Sequence, residues 1–498
     1  ALAAALGGAA LWAARRRGAC HGRGGGAGRL APTRPATGRA ARSAQVAALS
    51  ARVGTATAFT RARATFASAE RRIELDKALQ LRTAEDVAST LGNMKGAMMK
   101  LGQLASFVDE GLPEPLRQAL SSLQADAPPM SAELAASVVE AELGARPDQV
   151  FLEWGAEPIA AASIGQVHRA ITTDGQAVAV KVQYPGAAEA IAADLANADL
   201  VFGSLALVYP GFDPAPVVAE LKERIVEELD YHNEAANQQL FVDAYAGHPN
   251  ISVPAVRHDL STARVLTSEL HVGATMAELD GWDQAEKDLA GEAIYRFVFR
   301  SLYRLGAFNG NPHPGNYLFR PGGQVTFLDF GLVRHFAPAE LATFRAMITA
   351  MVVDRDPELF RRAVVEAGLL AADAPVSTDE VAEFFGQFYK LVETEGPRTA
   401  SSEYASSLVR RTFNRESPVT RYTTVPASFV LIQRINLGVF AILGRLRATA
   451  DWRRITEEIW PWVDAPPSTP MGRAEAAWLA GRDGPLRPSG QGELTPPA

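Results

Sequence analysis

Two side chains able to offer oxygen to a cation, Asn316 and Asp329, lie near each other in the run NPHPGNYLFRPGGQVTFLDFG, Asn311 to Gly331. The run predicts a tight loop, a short strand (Tyr317 to Phe319), a Pro321-Gly322-Gly323 turn and a second strand (Val325 to Leu328) leading into Asp329-Phe330-Gly331. Such a hairpin returns the chain on itself, so the Asn316 amide and the Asp329 carboxylate meet at its open end. An amide oxygen and a carboxylate suit a hard cation such as magnesium, and magnesium with few protein ligands shares its shell with phosphates. Asp-Phe-Gly alone is also what a strand ending in a turn looks like. Asn-Pro-His-Pro-Gly-Asn just upstream moves the reading to phosphate chemistry.

A positive partner for phosphate is present at Lys181. Residues Ala177 to Val182 read as a strand, with Val178, Val180 and Val182 on one face and Ala179 and Lys181 on the other. A flat base can lie against the small Ala179 while Lys181 reaches its phosphates; the plainer alternative is an edge-strand lysine facing water. Asp174-Gly175 supplies a hairpin signal before this strand, and Ala160 to Val167 precede it. An acidic helix follows. Asp213-Pro214 opens it, cap then proline, and it is expected to run to about Phe241 with Glu227, Glu228, Asp230 and Glu234. These acids form a solvated face, or one of them pairs with Lys181. Upstream, Thr83 caps a helix whose Val87, Leu91, Met94, Met98 and Leu101 form an apolar stripe. Lys100 and Gln103 are neighbours off that stripe, and as spacing alone they read as a solvated pair.

The chain of 498 residues is long enough for two or three compact units. Its 47% apolar share is that of a globular protein. One cysteine, Cys20, excludes a disulfide framework and a cysteine-rich metal site. Residues 1–72 carry thirteen arginines and one acid, whereas the rest sets 36 bases against 55 acids, a balance of −19. A basic arm on an acidic body argues against nucleic acid as partner and allows contact with anionic lipid. The arm, rich in Ala, Gly and Arg, is expected to be disordered and reads as the surface arm of a GC-rich bacterium's protein, or else as a transit peptide. The first reading places the protein in the cytoplasm, peripheral at the membrane; the second places it in a mitochondrion or plastid. No stretch reaches the roughly 20 apolar residues of a spanning helix; Phe429 to Leu443 is interrupted by Gln433, Arg434 and Asn436.

Further elements frame the site. Prolines near 113–115 and 128–129 break the early helix, Ser131 starts a short one, and the pattern becomes strand-like near Pro158. Val265 to Leu270 reads as a strand, and His271-Val272-Gly273 links it to a mostly helical remainder with helices at Asp283 to Leu305, Ala339 to Val353 and Thr378 to Leu391. Beyond about Asp464 the chain is rich in Pro and Gly and is expected to be disordered.

Strand-borne lysine, acidic helix, loop asparagine and Asp-Phe-Gly stand in protein-kinase order. Three details are more specific. Ala160, Ala162, Gly165 and Val167 fall where a kinase has its glycine-rich loop; Lys100 to Gln103 gives K-x-G-Q; Glu228 to Asp230 gives E-x-D, running into Asp-Tyr-x-x-Glu-Ala-x-Asn. Over roughly residues 80–460 the chain resembles the UbiB/AarF/ADCK family of atypical protein-kinase-like proteins. The resemblance implies an α+β, protein-kinase-like two-lobe fold with a helical N-terminal extension and a mostly α C-lobe. The expected divisions are a basic arm (1–65), the extension (66–145), an N-lobe (146–270), a C-lobe (271–464) and a tail (465–498).

The same resemblance implies roles. Lys181 would contact the phosphates of ATP or ADP, with Glu234 as its ion-pair partner. Asn316 and Asp329 would hold Mg2+. Ala160, Ala161, Ala162, Ser163 and Gly165, with Val167 and Ala179, would surround the nucleotide, and Glu269 to Val272 would form the hinge along its base. Lys100 and Gln103 would fold over the site to meet Glu228 and Asp230, closing the groove where a typical kinase takes a protein substrate. The implied activity is Mg-dependent phosphotransfer or ATP hydrolysis in quinone or lipid metabolism, on a lipid-like or quinone-precursor small molecule. One departure matters: where the family commonly has Asp as catalytic base, this chain has Asn311. An amide can orient a hydroxyl but cannot take its proton. The expectation is intact nucleotide binding with slowed transfer, or a nucleotide-gated pseudokinase-type regulatory or scaffold module. His313, between two prolines, is expected to be structural rather than a substitute base.

Overall fold

The computed structural model describes residues 130–187 except 163, residues 229–482 except 311, 405–406, 409–416 and 424–426, and scattered positions between 52 and 79. The expectations for residues 1–51 of the arm, for the helix from Thr83 with Lys100 and Gln103, for the opening of the acidic helix with Glu228, and for Ser163 and Asn311 fall outside the described residues. The expected disorder of the arm is corrected at residues 52–53, 55–60 and 63–64, which are helical, with Val53 and Thr57 buried.

The N-terminal lobe is an antiparallel sheet in the order β1-β2-β3-β5, with β1 Phe151–Ala162, β2 Gly165–Thr172, β3 Ala177–Gln183 and β5 Val265–Glu269. One face of β3 is fully buried: Val178, Val180 and Val182 join Phe151, Ala170 and Val265 in a core. Helix α1, Ala132–Leu143, closes this core with Val138 and Val139. Ser131 starts it by accepting from the Leu134 N–H, a side-chain N-cap. The sheet begins at Phe151, seven residues before the predicted change of pattern at Pro158. Pro158 lies inside β1 because β1 is the edge strand, and the register slips on both sides of it; an edge position or a bulge tolerates a missing donor.

The acidic helix needs a correction. Leu229 and Asp230 are not helical, and α2 runs from Tyr231 to Ala244. Asp230 is extended (φ −113°, ψ 105°) and its side chain accepts from the His232 N–H. A short carboxylate competes well for the free donors of a first turn, so it ends one segment and starts the next.

The helical lobe is built on α3, Gln284–Arg300, capped by Asp283 and extended by a π-type turn at Ser301–Leu305. Its core gathers Phe297, Phe308, Phe319, Phe327, Phe330, Trp452 and Trp460. Two small sheets lie against it. One places β4 (Ile251–Ser252), β8 (Gln324–Phe327) and β7 (Tyr317–Arg320) side by side, and the other pairs β6 (Ala307–Asn309) with β9 (Val333–His335). Beyond them come α4 Pro338–Ile348, α5 Pro357–Glu366, α6 Thr378–Gly386, α7 Ala427–Leu446 and α8 Trp452–Ile459. No helix among the described residues is long and apolar enough to cross a membrane.

The expected disordered tail is overturned between Pro470 and Ala480, which form helix α9. Thr469 caps it and Pro470 occupies its first turn, and Met, Arg, Ala, Glu and Leu then favour helix. The Pro- and Gly-rich flanks hide this in a composition average. Glu475 of α9 is 1% exposed and meets Arg296 at 2.8 Å and Arg300 at 2.8 Å. Arg296 also pairs with Glu292 at 2.8 Å and Glu458 at 2.7 Å.

Burial favours the neutral acid at Glu475, but Arg300, His248 and Arg296 overcome it and hold its pKa down at about 2. Its folded-state pKa is below the unfolded value of about 4.3, so its contribution is complete above that value and is lost as pH falls toward about 2. Removing one partner from a buried ion cluster costs about 3–5 kcal/mol. Glu475→Ala should therefore lower stability to chemical denaturant by about that much at neutral pH, and the gap between variant and parent should narrow as pH drops below about 4. A pH-independent gap would show that the charge is not what holds α9.

Candidate functional site

Lys181 and Glu234 form the centre of the site. The Lys181 ammonium lies 2.8 and 2.7 Å from the two Glu234 carboxylate oxygens. The two side chains are 17% and 4% exposed. Alternation along β3 sends the valines into the sheet core and Lys181 to the opposite face, as the sequence predicts. Burial pulls the Lys181 pKa down, but the charge of Glu234, then Tyr231 and Asp329, outweighs it and holds the pKa above the ordinary lysine range. The ammonium therefore stays charged at neutral pH.

Glu234 reaches Lys181 because one face of α2 turns inward: Tyr231, Glu234, Gln238 and Phe241 are buried. The periodicity of 3.6 puts Tyr231 and Glu234 on that face. The Lys181 ammonium sits 5.0 Å from the Tyr231 ring centroid, within range of a cation–π contact. Asp230, implied to face the extension, serves as the helix cap described above, and its carboxylate also meets the His232 ring at 2.9 Å.

The hairpin β7–β8 has the predicted form. Tyr317 pairs with Phe327 and Arg320 with Gln324. Gly322 (φ 78°) and Gly323 (φ 69°) make the turn, backbone angles that glycine adopts without a steric penalty. At the open end the Leu328 N–H donates to the Asn316 carbonyl at 3.0 Å. Asn316 and Asp329 thus flank the same end of one hairpin. The Asp329 carboxylate accepts from the Gly331 N–H at 2.9 Å, and its carbonyl accepts from the Asn309 amide at 2.6 Å. Asp329 and Glu234 converge on Gly331: a Cβ there would stand 3.4 Å from an oxygen of each. Phe330 is fully buried against Phe241 of α2, ring centroids 4.9 Å apart, and its carbonyl accepts from Asn237 at 3.3 Å. His313, expected to be structural, accepts from the Gly315 N–H at Nδ1 at 3.1 Å and caps the short turn Pro314–Asn316.

The alanine-rich segment is the tip of the β1–β2 hairpin. Ala162 pairs with Gly165 and Ala160 with Val167. Gly165 answers a close approach, since a Cβ there would overlap the Val182 carbonyl of β3. Ala160 and Ala161 are exposed, Ala162 and Val167 half-buried. Beneath the hairpin the buried His168 donates from Nδ1 to the Gly155 carbonyl at 2.7 Å, and its Nε2 accepts from Gln166 at 2.9 Å. Burial lowers the His168 pKa and keeps the ring neutral.

Ala179 pairs with Ser268 of β5, placing it beside the strand that ends at Glu269. The Glu269 carboxylate accepts from Gln176 at 3.1 Å and from the Ala255 N–H at 3.1 Å. Val272 is 80% exposed. The structure therefore gathers Lys181, Glu234 and Asp329, with Asn316 at the same hairpin end as Asp329 and Ala179 on the same face as Lys181. Tyr231, Asn237 and Asn309 were not singled out from sequence, and His271 was named only as linker. Tyr231 and Asn237 belong to the Asp-Tyr-x-x-Glu-Ala-x-Asn run, which held the signal. His271 contacts Glu269 at 3.4 Å and Thr326 of β8 at 3.3 Å, tying the two lobes at the linker.

A lysine held charged by a buried carboxylate, beside a second carboxylate and an amide, is an arrangement chemically able to bind phosphate. The comparisons give the family. Residues 122–363 match the ABC1 atypical kinase-like domain. A chloroplastic aarF domain-containing protein kinase of Arabidopsis thaliana, itself uncharacterised, is 30% identical over 76% of this chain and 54% of its own length. The mitochondrial atypical kinase COQ8B of Rattus norvegicus is 34% identical over 51% of this chain and 48% of its own. The chain spans about half the length of these curated relatives. The Mycobacterium tuberculosis protein Rv3197, solved in complex with erythromycin, superposes with a TM-score of 0.58 at 33% identity, over 78% of this chain and 98% of that one. With sheet, α2 and the Asn316–Asp329 hairpin in kinase order, and with these matches, the chain belongs to the ABC1 atypical kinase-like family, the UbiB/AarF/ADCK group.

Proposed function

We propose that the protein binds ATP or ADP with Mg2+ and uses it in slow phosphotransfer or hydrolysis. The observation that carries this reading is the bidentate Lys181–Glu234 pair, facing Asp329 across Gly331. A lysine so held has its donors aimed and its charge fixed before a phosphate arrives. Asn316 and Asp329 fit magnesium: both offer oxygen from one end of a hairpin. Among the described residues no group of three or more His, Cys, Asp or Glu forms a protein cage. That donor set suits a cation that completes its shell with phosphate and water. When bound, the ion would neutralise charge on the phosphates. Lys181 would orient them, Ala179 would lie against the base, and the β1–β2 hairpin would cover them and keep water out.

The acceptor we propose is a lipid-like or quinone-precursor small molecule at a membrane surface, with the arginine-rich arm on anionic lipid. Turnover of magnesium-ATP with and without anionic liposomes and a phenolic quinone-precursor mimic tests it. No stimulation by either addition would remove this acceptor class.

Asn311 sets the expected rate. General-base assistance is worth about 10²–10⁴-fold, and an amide cannot give it, whereas positioning and charge stabilisation remain. Asn311→Asp should raise phosphate release by about tenfold or more; unchanged release would favour the nucleotide-gated scaffold over the enzyme. Lys181→Ala should abolish the magnesium-dependent thermal shift with ATP. A shift as large as the parent's would remove the assignment of the site.

A further inference from the structure

Helix α2 ends without a local cation. The cap residue Tyr245 is not left-handed (φ −108°) and no basic side chain stands in the last turn. The left-handed residue is Gly247 (φ 70°), two residues past the cap. The cation comes from the far end of the chain. Arg482, just past α9, donates to the Asp243 carbonyl at 3.0 Å and the Ala246 carbonyl at 3.3 Å. The Trp478 indole N–H donates to the same Ala246 carbonyl at 2.9 Å. The indole lies parallel to the Tyr245 ring with centroids 6.3 Å apart, edge-on to His248 at 4.6 Å, and under the Arg482 guanidinium at 4.8 Å. His248 in turn meets Glu475 at 3.2 Å. The ion cluster around Glu475 fastens α9 to α3, so the clamp has a fixed base.

What it holds is the helix that carries Glu234. From Asp243 back to Glu234 is roughly 14 Å along the axis at 1.5 Å per residue. A tilt of about 4° about the clamped end would move Glu234 by roughly 1 Å over that lever. Contacts of 2.7 and 2.8 Å to Lys181 do not survive such a shift in bidentate form. Ordinary packing would stabilise the helical lobe just as well, but it would not need one donor aimed at the Asp243 carbonyl in the last turn and two more at the Ala246 carbonyl in the turn that follows.

We propose that α9 is a positioning clamp, in which Trp478 and Arg482 set the pitch of α2 and so keep Glu234 against Lys181. The inference rests on the nucleotide reading above and names what controls that site. Trp478 and Arg482 touch no substrate; they act through Glu234.

The test uses the full chain with Trp478→Ala, Trp478→Phe and Arg482→Ala. Phe360→Leu serves as control, because Phe360 is fully buried in a separate core of α5 and α6. Magnesium-ATP affinity is titrated well below the melting transition, and amide hydrogen exchange is followed along residues 231–246. Trp478→Ala should weaken binding about three- to tenfold, Trp478→Phe, which keeps a ring but not the N–H donor, should recover only part of it, and Phe360→Leu should lose melting temperature without losing affinity. Exchange in Trp478→Ala should quicken as far as the first turn of α2. An affinity for Trp478→Ala equal to the parent's overturns the clamp, whatever the exchange shows. If Trp478→Ala does not fold, Arg482→Ala takes its place with an expected loss of about twofold. If the parent itself binds no magnesium-ATP, the nucleotide reading fails separately. Exchange then decides the clamp: quickening that reaches Glu234 upholds it, and quickening confined to residues 241–246 overturns it.

Discussion

A lysine ammonium almost out of water is tolerable only with a carboxylate beside it. Moving either charge out of water alone costs several kcal/mol, and a close pair with good geometry is what offsets it. The Lys181–Glu234 contact, 17% and 4% exposed, is such a pair. It imposes conditions on everything near it. β3 must alternate so that lysine and valines point oppositely, α2 must start where it does, and the turn at Asp329-Phe330-Gly331 must leave room for two carboxylates. A glycine at 331 meets that last condition, since the oxygens of Asp329 and Glu234 both come close to where its Cβ would be.

Helix α2 belongs to both lobes. Glu234 reaches the sheet, while Phe241 sits in the helical core against Phe297 and Phe330, centroids 5.5 and 4.9 Å away. Asn237, between them, fixes the Phe330 carbonyl. One helix therefore contacts both the segment after β8 and the lysine. A displacement of the Phe330 segment would be felt at Glu234 because packed helices move as units rather than bend.

How much of this was legible in the sequence depended on the range of the interaction. The β7–β8 hairpin was readable almost to the residue, because Pro321-Gly322-Gly323 encodes its own turn and the strands pair locally. The face of Lys181 was readable because a period of two leaves no choice once the valines are buried. The start of α2 was not. Its acids look like one continuous helical face, and the decision was made by the Asp230 side chain taking the His232 N–H. The tail was misread for a related reason: α9 is a short helix inside a Pro- and Gly-rich stretch, held by Arg296 and Arg300, residues some 175 positions away. Asn309 was invisible because its partner, the Asp329 carbonyl, is a tertiary neighbour, and His271 was read as linker without its partner Thr326 of β8 for the same reason. Local turn chemistry and strand parity can be read from one chain; long-range pairing of charges cannot.

Binding and transfer separate in this site because different residues carry them. On the proposed function, Lys181, Glu234, Asn316 and Asp329 would set where phosphate and cation rest. Position 311 concerns the proton of the acceptor. The acidity of a hydroxyl matters less to a loose phosphoryl-transfer transition state than to an associative one, because bond formation to the nucleophile is little advanced when the leaving bond is mostly broken. A base worth about 10²–10⁴-fold corresponds to roughly 3–5 kcal/mol of barrier. Enzymatic accelerations of about 8–23 kcal/mol are typical, so losing the base alone leaves most of the catalytic machinery in place. On the proposed function, a chain that keeps the buried ion pair but carries Asn311 would hold a nucleotide firmly and spend it slowly. Occupancy would then change on the timescale of nucleotide exchange as well as of chemistry, and the shape of the site would become as consequential as its turnover.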